Sequence, residues 1–412
     1  MKKKQILSIL LALALLLALC GCGGTKTEQH LPGGSEESAP AADEQPGTAD
    51  APASTPRPGA ENAPAIEGLT YESTAELTYA DQFAIYRYEG GYRYIDMKNS
   101  DKMLVVPEGG AVPKGLAKDV VVVQQPLQHI YLPATSVMAL FDALDALDRI
   151  AFVGSKTWYT ENATAAMERG DFVYAGKYNT PDYEMLLAGS CDLAIESTMI
   201  LHNPEVKEKL VEIGIKTVVE RSSYEDHPLG RTEWIKVYGT LLGLEDKADA
   251  VFSAQMEKVK ALEALAPTGK TVAFFYVNTQ GNVVTYKSEG YLPSMIKIAG
   301  GEYIFSDLGK EDDTGKLSTV NMSMEQFYHA AVNADVIIYN CSIAAQLHTL
   351  GDLTSLSPVL ADFKAVKEGN AWCTTESMYQ QTDKMGTIIE EMNRIFSGQT
   401  DGADLEYIFR LE

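Results

Sequence analysis

The chain has 412 residues, with 57 Asp and Glu against 34 Lys and Arg, and a formal charge of −23. A chain this acidic argues against nucleic acid as a partner and against lying flat on anionic lipid. The length allows two lobes of ordinary domain size.

Lys2-Lys3-Lys4 precede an apolar run from Ile6 to Leu19 that ends in Leu19-Cys20-Gly21-Cys22. Spanning a bilayer takes about 18–20 apolar residues, so this shorter run reads as an export signal. Its last four residues resemble a bacterial lipobox, with small Gly21 before the cut and Cys22 as the lipidated residue. Residues 1–22 are therefore expected to be a lipoprotein signal, placing the chain on the extracytoplasmic face of a cell membrane. Loss of three lysines makes the formal charge −23 − 3 = −26. Residues 23–67 are rich in Pro, Ala, Gly, Ser, Thr and acids, offer no core, and are expected to be a disordered tether. A flexible chain of that length reaches on the order of 35 Å.

Alternation in FAIYRY and YRYIDM about Glu89-Gly90-Gly91 predicts a hairpin, with KMLVVP following. DVVVVQQ and HIYLP read as strands. Thr135 or Ser136 is expected to cap a helix with Val137, Leu140, Phe141 and Leu144 on one face. Then come IAFVG (strand), EMLLAG (helix), DLAIES (strand), EVKEKLVEIG (helix) and TVVE (strand), an alternation that means a parallel sheet covered by helices. The longest helical stretch spans 232–265, interrupted only at Gly239 and Gly243. Beyond it TVAFFYV, YLPSMIKIAG, MEQFYHAAV, DVIIYN, ADFKAVKEG and AWCT continue the pattern, with a final helix near Asp383–Phe396. The fold class is α/β, two parallel-sheet lobes joined by one long helix. The expected divisions are an N-terminal β-hairpin addition packed on the first lobe at 68–124, a first lobe at 125–231, a linking helix at 232–265 and a second lobe at 266–412.

The halves echo one another. Thr180-Pro181-Asp182-Tyr183-Glu184 leads a helix, then Asp192 and the strand LAIE; Ser323-Met324-Glu325-Gln326 leads another, then Asp335 and VIIY. Ser323 and Gln326 have capping-box spacing. Each half carries a Glu in a first helical turn, where the helix dipole favours it. Three cysteines remain beyond the lipobox, too few for a disulfide framework. Cys341 and Cys373 end probable strands, as a single bridge or as two buried thiols.

Over about 125–398 the chain resembles the iron-complex and vitamin B12 class of ABC-importer binding proteins. HIYLPATSVMALFDAL, PDYEMLLAGSCDLAIES, SSYEDHPLGRTEWIKVYG and STVNMSMEQFYHAAVNADVIIY carry the resemblance. It implies a ligand held between two rigid lobes, slight closure, and docking of one rim Glu per lobe onto a dimeric permease served by an ATPase. The matching positions are Glu184 and Glu325. Residues 68–124 depart from this pattern.

By the resemblance, loops at strand carboxyl ends line the cleft, as in open α/β sheets generally. Candidates there are Ser136, Trp158, Tyr159, Arg221, His227, Arg231, Tyr276, Tyr286, Tyr291, Trp372 and Tyr379. Aromatic rings with a polar end suit a bulky chelate, although Tyr is abundant along the chain and any of these could be core. Arg221 and Lys156 could pair with an anionic siderophore. His227 and Arg231 could line the cleft floor, and His227 could be an axial ligand to haem or a corrinoid. The histidines are scattered, so no bare-metal centre is expected. GxSxG, HExxH, Walker A and GxGxxG patterns are missing, so no enzyme activity and no cofactor are expected. The expected role is a monomeric lipoprotein that captures a ferric siderophore for an ABC importer. A corrinoid or haem is the second cargo, and a ligand-sensing lipoprotein that signals to a membrane receptor is the alternative role.

Overall fold

The computed structural model describes residues 60–309, 318–341, 344 and 346–412. The signal, Cys22 and most of the tether lie outside the described residues. The folded body begins before residue 68: Ile66 is 8% exposed in an apolar cluster, and the Tyr88 hydroxyl donates to the Pro64 carbonyl at 2.5 Å. Ile66 covers the outer face of the sheet that follows, which takes the end of the expected tether into the body.

That sheet is larger than a hairpin. It comprises β1 (Tyr71–Thr74), β2 (Phe83–Tyr88), β3 (Tyr92–Met97), β4 (Lys102–Val106) and β5 (Val120–Gln124), in the order 1-2-3-4-5. Its pairs are antiparallel except β4 with β5. Period-2 alternation sends Phe83 and Ile85 to the main core and Ala84, Tyr86 and Tyr88 to the outer cluster. Asp101 ties the sheet to the first lobe, accepting from Lys207 Nζ at 2.7 and 2.9 Å and from Val219 N at 2.8 Å.

The first lobe runs β6 (Ile130–Leu132), α1 (Met138–Ala143), β7 (Ile150–Val153), α2 (Glu161–Arg169), β8 (Val173–Tyr174), α3 (Tyr183–Ala188), β9 (Leu193–Glu196), α4 (Pro204–Glu212) and β10 (Thr217–Val219). Its sheet is wholly parallel, ordered 10-9-6-7-8. Val137, Leu140, Phe141 and Leu144 are all buried. The expected cap is missing, because Thr135–Val137 forms a 3-10 turn without a side-chain cap bond.

Three helices link the lobes: α5 (Pro228–Glu233), α6 (Ile235–Leu242) and α7 (Glu245–Glu263). The stretch expected as one helix over 232–265 breaks at Trp234 and at Gly243-Leu244. Gly243 has φ 72°, a left-handed helix end that glycine adopts without strain. Gly239 instead stays inside α6, where a Cβ would lie 2.6 Å from that of Ala248; its missing side chain lets α6 and α7 touch.

The second lobe contains β11 (Lys270–Val277), β12 (Val283–Tyr286), α8 (Tyr291–Ile298), β13 (Gly301–Tyr303), β14 (Thr319–Met322), α9 (Met324–Ala331), β15 (Val336–Tyr339), α10 (Leu350–Leu356), α11 (Lys364–Lys367), β16 (Ala371–Thr374), α12 (Met385–Ser397) and β17 (Ile408–Arg410). Its seven-stranded sheet is mixed. β11 is parallel to β13 and β15, and β15 to β16, whereas β12, β14 and β17 pair antiparallel. The turn between β11 and β12 is too short for a crossover, so the chain returns as a hairpin.

The echo between halves has a structural basis. Asp192, before β9, accepts from Gln128 N and His129 N at 3.0 and 3.1 Å, at the start of neighbouring β6. Asp335, before β15, accepts from Thr271 N at 2.9 Å in neighbouring β11. In each lobe one aspartate satisfies strand-end amides that lie beyond the ladder. Among the described residues no helix is long and apolar enough to cross a membrane.

Candidate ligand cleft

Two loops meet across the seam between the lobes. After β7, Trp158 turns inward and is 5% exposed, with its carbonyl accepting from Thr164 Oγ1 at 2.8 Å. Tyr159 N donates to Gln380 Oε1 of the second lobe at 3.1 Å. The Tyr159 ring meets that of Tyr379 edge to face, 6.3 Å between centroids, and Gln380 Nε2 donates to the Tyr379 hydroxyl at 3.1 Å. Burial, helped by its hydrogen-bonded neighbour Glu376, raises the Tyr159 phenol pKa. The 3-10 turn carrying Ser136 lies against the turn Met378–Gln380.

Two guanidiniums belong to the segment where the first lobe runs into the linker. Arg231, on α5, donates from Nη2 to the Ser223 carbonyl at 3.0 Å and lies 3.7 Å from the ring centroid of Tyr291, at the start of α8. Arg221, just past β10, lies 4.1 Å from the ring centroid of Tyr224. Among the described residues the Nε atom of each is buried without a hydrogen-bond partner and neither arginine has an ion pair. Glu220 is buried beside them and accepts from Ser222 N at 2.9 Å; burial raises its pKa, against the pull of that bond and of both arginines.

Other candidates occupy different places. His227 is the N-cap of α5: its Nδ1 accepts from Leu229 N at 3.1 Å, and Tyr79 stacks on its ring at 4.3 Å. Burial lowers its pKa to about 4, so the ring is neutral. One nitrogen and one face are thus engaged in structure rather than held open for a metal. Tyr286 lies in the second-lobe core, its hydroxyl accepting from Asn340 Nδ2 at 3.0 Å, because its position on β12 points inward. Trp372, 3% exposed on β16, is covered by β17, with the Arg410 guanidinium 4.8 Å from its ring centroid. Tyr276 is half-buried near the end of β11, and burial raises its pKa. Lys156 sits 4.7 Å from the Tyr174 ring centroid.

Gln380, Glu376 and Tyr224 were not singled out from sequence. Gln380 lies one position past Tyr379, and only contact across the lobes distinguishes it. Glu184 and Glu325 are both exposed, each in the first turn of a helix. Asp182 caps the first through Met185 N at 2.9 Å, and Ser323 with Gln326 forms the predicted capping box on the second. Cys341 and Cys373 are free and buried, and the hydrogen bond between their thiols lowers the pKa of Cys341 and raises that of Cys373. Among the described residues no group of three or more His, Cys, Asp or Glu could hold a metal ion.

Comparison with known proteins agrees with this architecture. An uncharacterized lipoprotein of Methanocaldococcus jannaschii is 25% identical over 340 residues, covering 76% of this chain and 77% of its own. A second lipoprotein of that organism is 24% identical over 353 residues, covering 81% and 86%. Among solved structures, the periplasmic haem-binding protein of Vibrio cholerae superposes with a TM-score of 0.53 at 17% identity, over 66% of this chain and 99% of that one. The petrobactin-binding protein of Bacillus subtilis gives 0.51 at 13% identity, over 73% and 95%. A family model described as periplasmic binding protein matches residues 134–376. Members of that family act outside the cytoplasm, bind solutes without transforming them, and deliver small-molecule ligands to ABC transporters. The chain belongs to the periplasmic binding protein family and is a solute-binding protein rather than an enzyme.

Proposed function

We propose that this protein captures an anionic metal chelate, foremost a ferric siderophore, between its lobes and delivers it to an ABC importer. The observation that carries the reading is the pair of tyrosine-stacked guanidiniums, Arg221 and Arg231, which have no ion pair among the described residues; the Tyr159–Tyr379 contact across the seam supports it. A guanidinium Nε buried without an acceptor is costly, and an anionic ligand would supply one. Tyrosine rings supply broad contact area together with a hydrogen-bonding end, which suits a bulky chelate. Haem or a corrinoid is the second cargo; likeness to haem-binding and petrobactin-binding proteins supports the fold for either.

Delivery would proceed by capture, slight closure, docking through Glu184 and Glu325, and release as the permease parts the lobes. Exposed carboxylates contribute only about 0–1 kcal/mol each, but two of them, one per lobe, fix orientation and speed encounter. Cys22 would carry the lipid that keeps the protein at the membrane; the names of the M. jannaschii lipoproteins accord with that anchor. The test is Glu184→Ala combined with Glu325→Ala. Ligand affinity should be unchanged and cellular uptake abolished; uptake that survives in the double variant would remove the docking assignment. A ligand-sensing lipoprotein would instead show full affinity with no permease binding even in the wild type.

A further inference from the structure

The N-terminal sheet has no part in the capture scheme, yet its β1–β2 connection is held by two carboxylates of the linker region. Glu233, on α5 and wholly buried, accepts from Thr78 N, Tyr79 N and Ala80 N at 2.7, 2.7 and 2.8 Å. Glu225 accepts from Asp81 N and Gln82 N at 3.0 and 3.1 Å and from Trp234 Nε1 at 2.9 Å. Five consecutive backbone amides that no strand pairs are satisfied by two side chains. Lys236 Nζ fastens the same segment, donating to the Glu76 carbonyl at 2.9 Å and to Glu233 Oε1 at 3.1 Å. Tyr79 then stacks on His227, the cap of α5, and Phe83 meets Trp234 edge to face at 5.0 Å.

The other side of α5 faces the lobes. Arg231 bonds the first lobe through Ser223 O and stacks on Tyr291 of the second. Thr232 Oγ1 donates to the Thr382 carbonyl of the second lobe at 2.8 Å. α5 packs against α8 and α12 of that lobe. A helix of six residues cannot turn at Glu233 without turning at Arg231 and Thr232.

We propose that the N-terminal sheet is a brace: by gripping α5 through Glu233, Glu225 and Tyr79, it sets the position of Arg231 and the angle between the lobes. The sheet thereby stiffens the linker, whose own continuity is broken at Trp234 and Gly243. This role is independent of the cargo, so its failure would leave the capture reading intact.

The test is hydrogen–deuterium exchange on the full-length chain. Glu233→Gln places an amide donor against three backbone donors, and Tyr79→Ala removes the His227 stack while keeping every backbone bond. In Glu233→Gln, exchange across residues 291–298 should speed at least tenfold, with a smaller change of the same sign in Tyr79→Ala, while residues 336–339 in β15 stay as in the wild type. Faster exchange confined to residues 78–82, with 291–298 unchanged, would overturn the proposal. So would equal acceleration at 291–298 in Tyr88→Phe, which loses only the hydroxyl on the far face of the sheet.

Discussion

Glu196 ends β9 fully buried, and among the described residues neither of its carboxyl oxygens has a hydrogen-bond partner. Burial raises its pKa well above the ordinary range, only partly opposed by Lys207. The folded state therefore keeps a proton that the unfolded chain releases, and the group's contribution to stability falls as pH rises above the usual glutamate range. Glu196→Gln removes this slope, so the variant should gain stability on the wild type as pH rises from 5 to 8 in urea titrations, and parallel pH profiles would contradict it. His227 has the opposite sign. With its pKa lowered to about 4 from 6.5, its stabilisation is present above pH 6.5 and is lost as pH falls through 4. Protonated Nδ1 cannot accept from Leu229 N. His227→Asn, which keeps a cap acceptor, should flatten stability over that window; an unaltered acid profile would contradict the cap's role. At this scale the sequence was least informative. Tyr286 ends a strand, Trp372 lies within one and Tyr159 follows one, and residue type does not say which way each turns. Tyr286 and Trp372 entered the core, whereas Tyr159 lies at the seam.

Elements were more legible, because period and turn chemistry are local. Four of the five first-lobe strands, its buried helical stripe and the capping box at Ser323 could be read from spacing alone; α2 and the two-residue strand β8 could not. The break at Gly243 was marked in the sequence by its glycine, but the break at Trp234 was not, since helical propensity continues through it; Gly239, marked in the same way, stays helical because its missing side chain admits Ala248. The antiparallel strands of the second sheet are not legible in the sequence, because β12, β14 and β17 are only three or four residues long, too short for a period to show. The paired aspartates offer a test at this scale. Asp335→Ala leaves Thr271 N unsatisfied and removes the Lys364 contact that, more than any other, holds this carboxyl's pKa down to about 2. The variant should lose about 1–3 kcal/mol in denaturant unfolding, and Asp192→Ala should fall in the same range if the echo reflects one shared device.

For the whole molecule, the alternation of strands and helices with a long helical stretch between halves was enough to anticipate two α/β lobes, and the family match over residues 134–376 establishes the class. Joining of lobes through space was not legible: Gln380 meeting Tyr159 links positions 221 residues apart. Nor was the grip of Glu225 and Glu233 on the N-terminal sheet, which spans 143 to 155 residues of chain. The central claim is that an anionic metal chelate binds at this seam. The most direct measurement is a thermal-shift screen of the full-length chain against ferric siderophores, haem, cobalamin, cobinamide and free divalent metals, repeated on Tyr159→Ala with Tyr379→Ala. A ligand at 100 times its Kd stabilises by about 2.7 kcal/mol, which a melting curve resolves. The account predicts a rise in Tm with one chelate class, ferric siderophores first, and at least a tenfold weaker Kd in the double variant. A rise with bare metal alone, or one that the double variant leaves untouched, would contradict it.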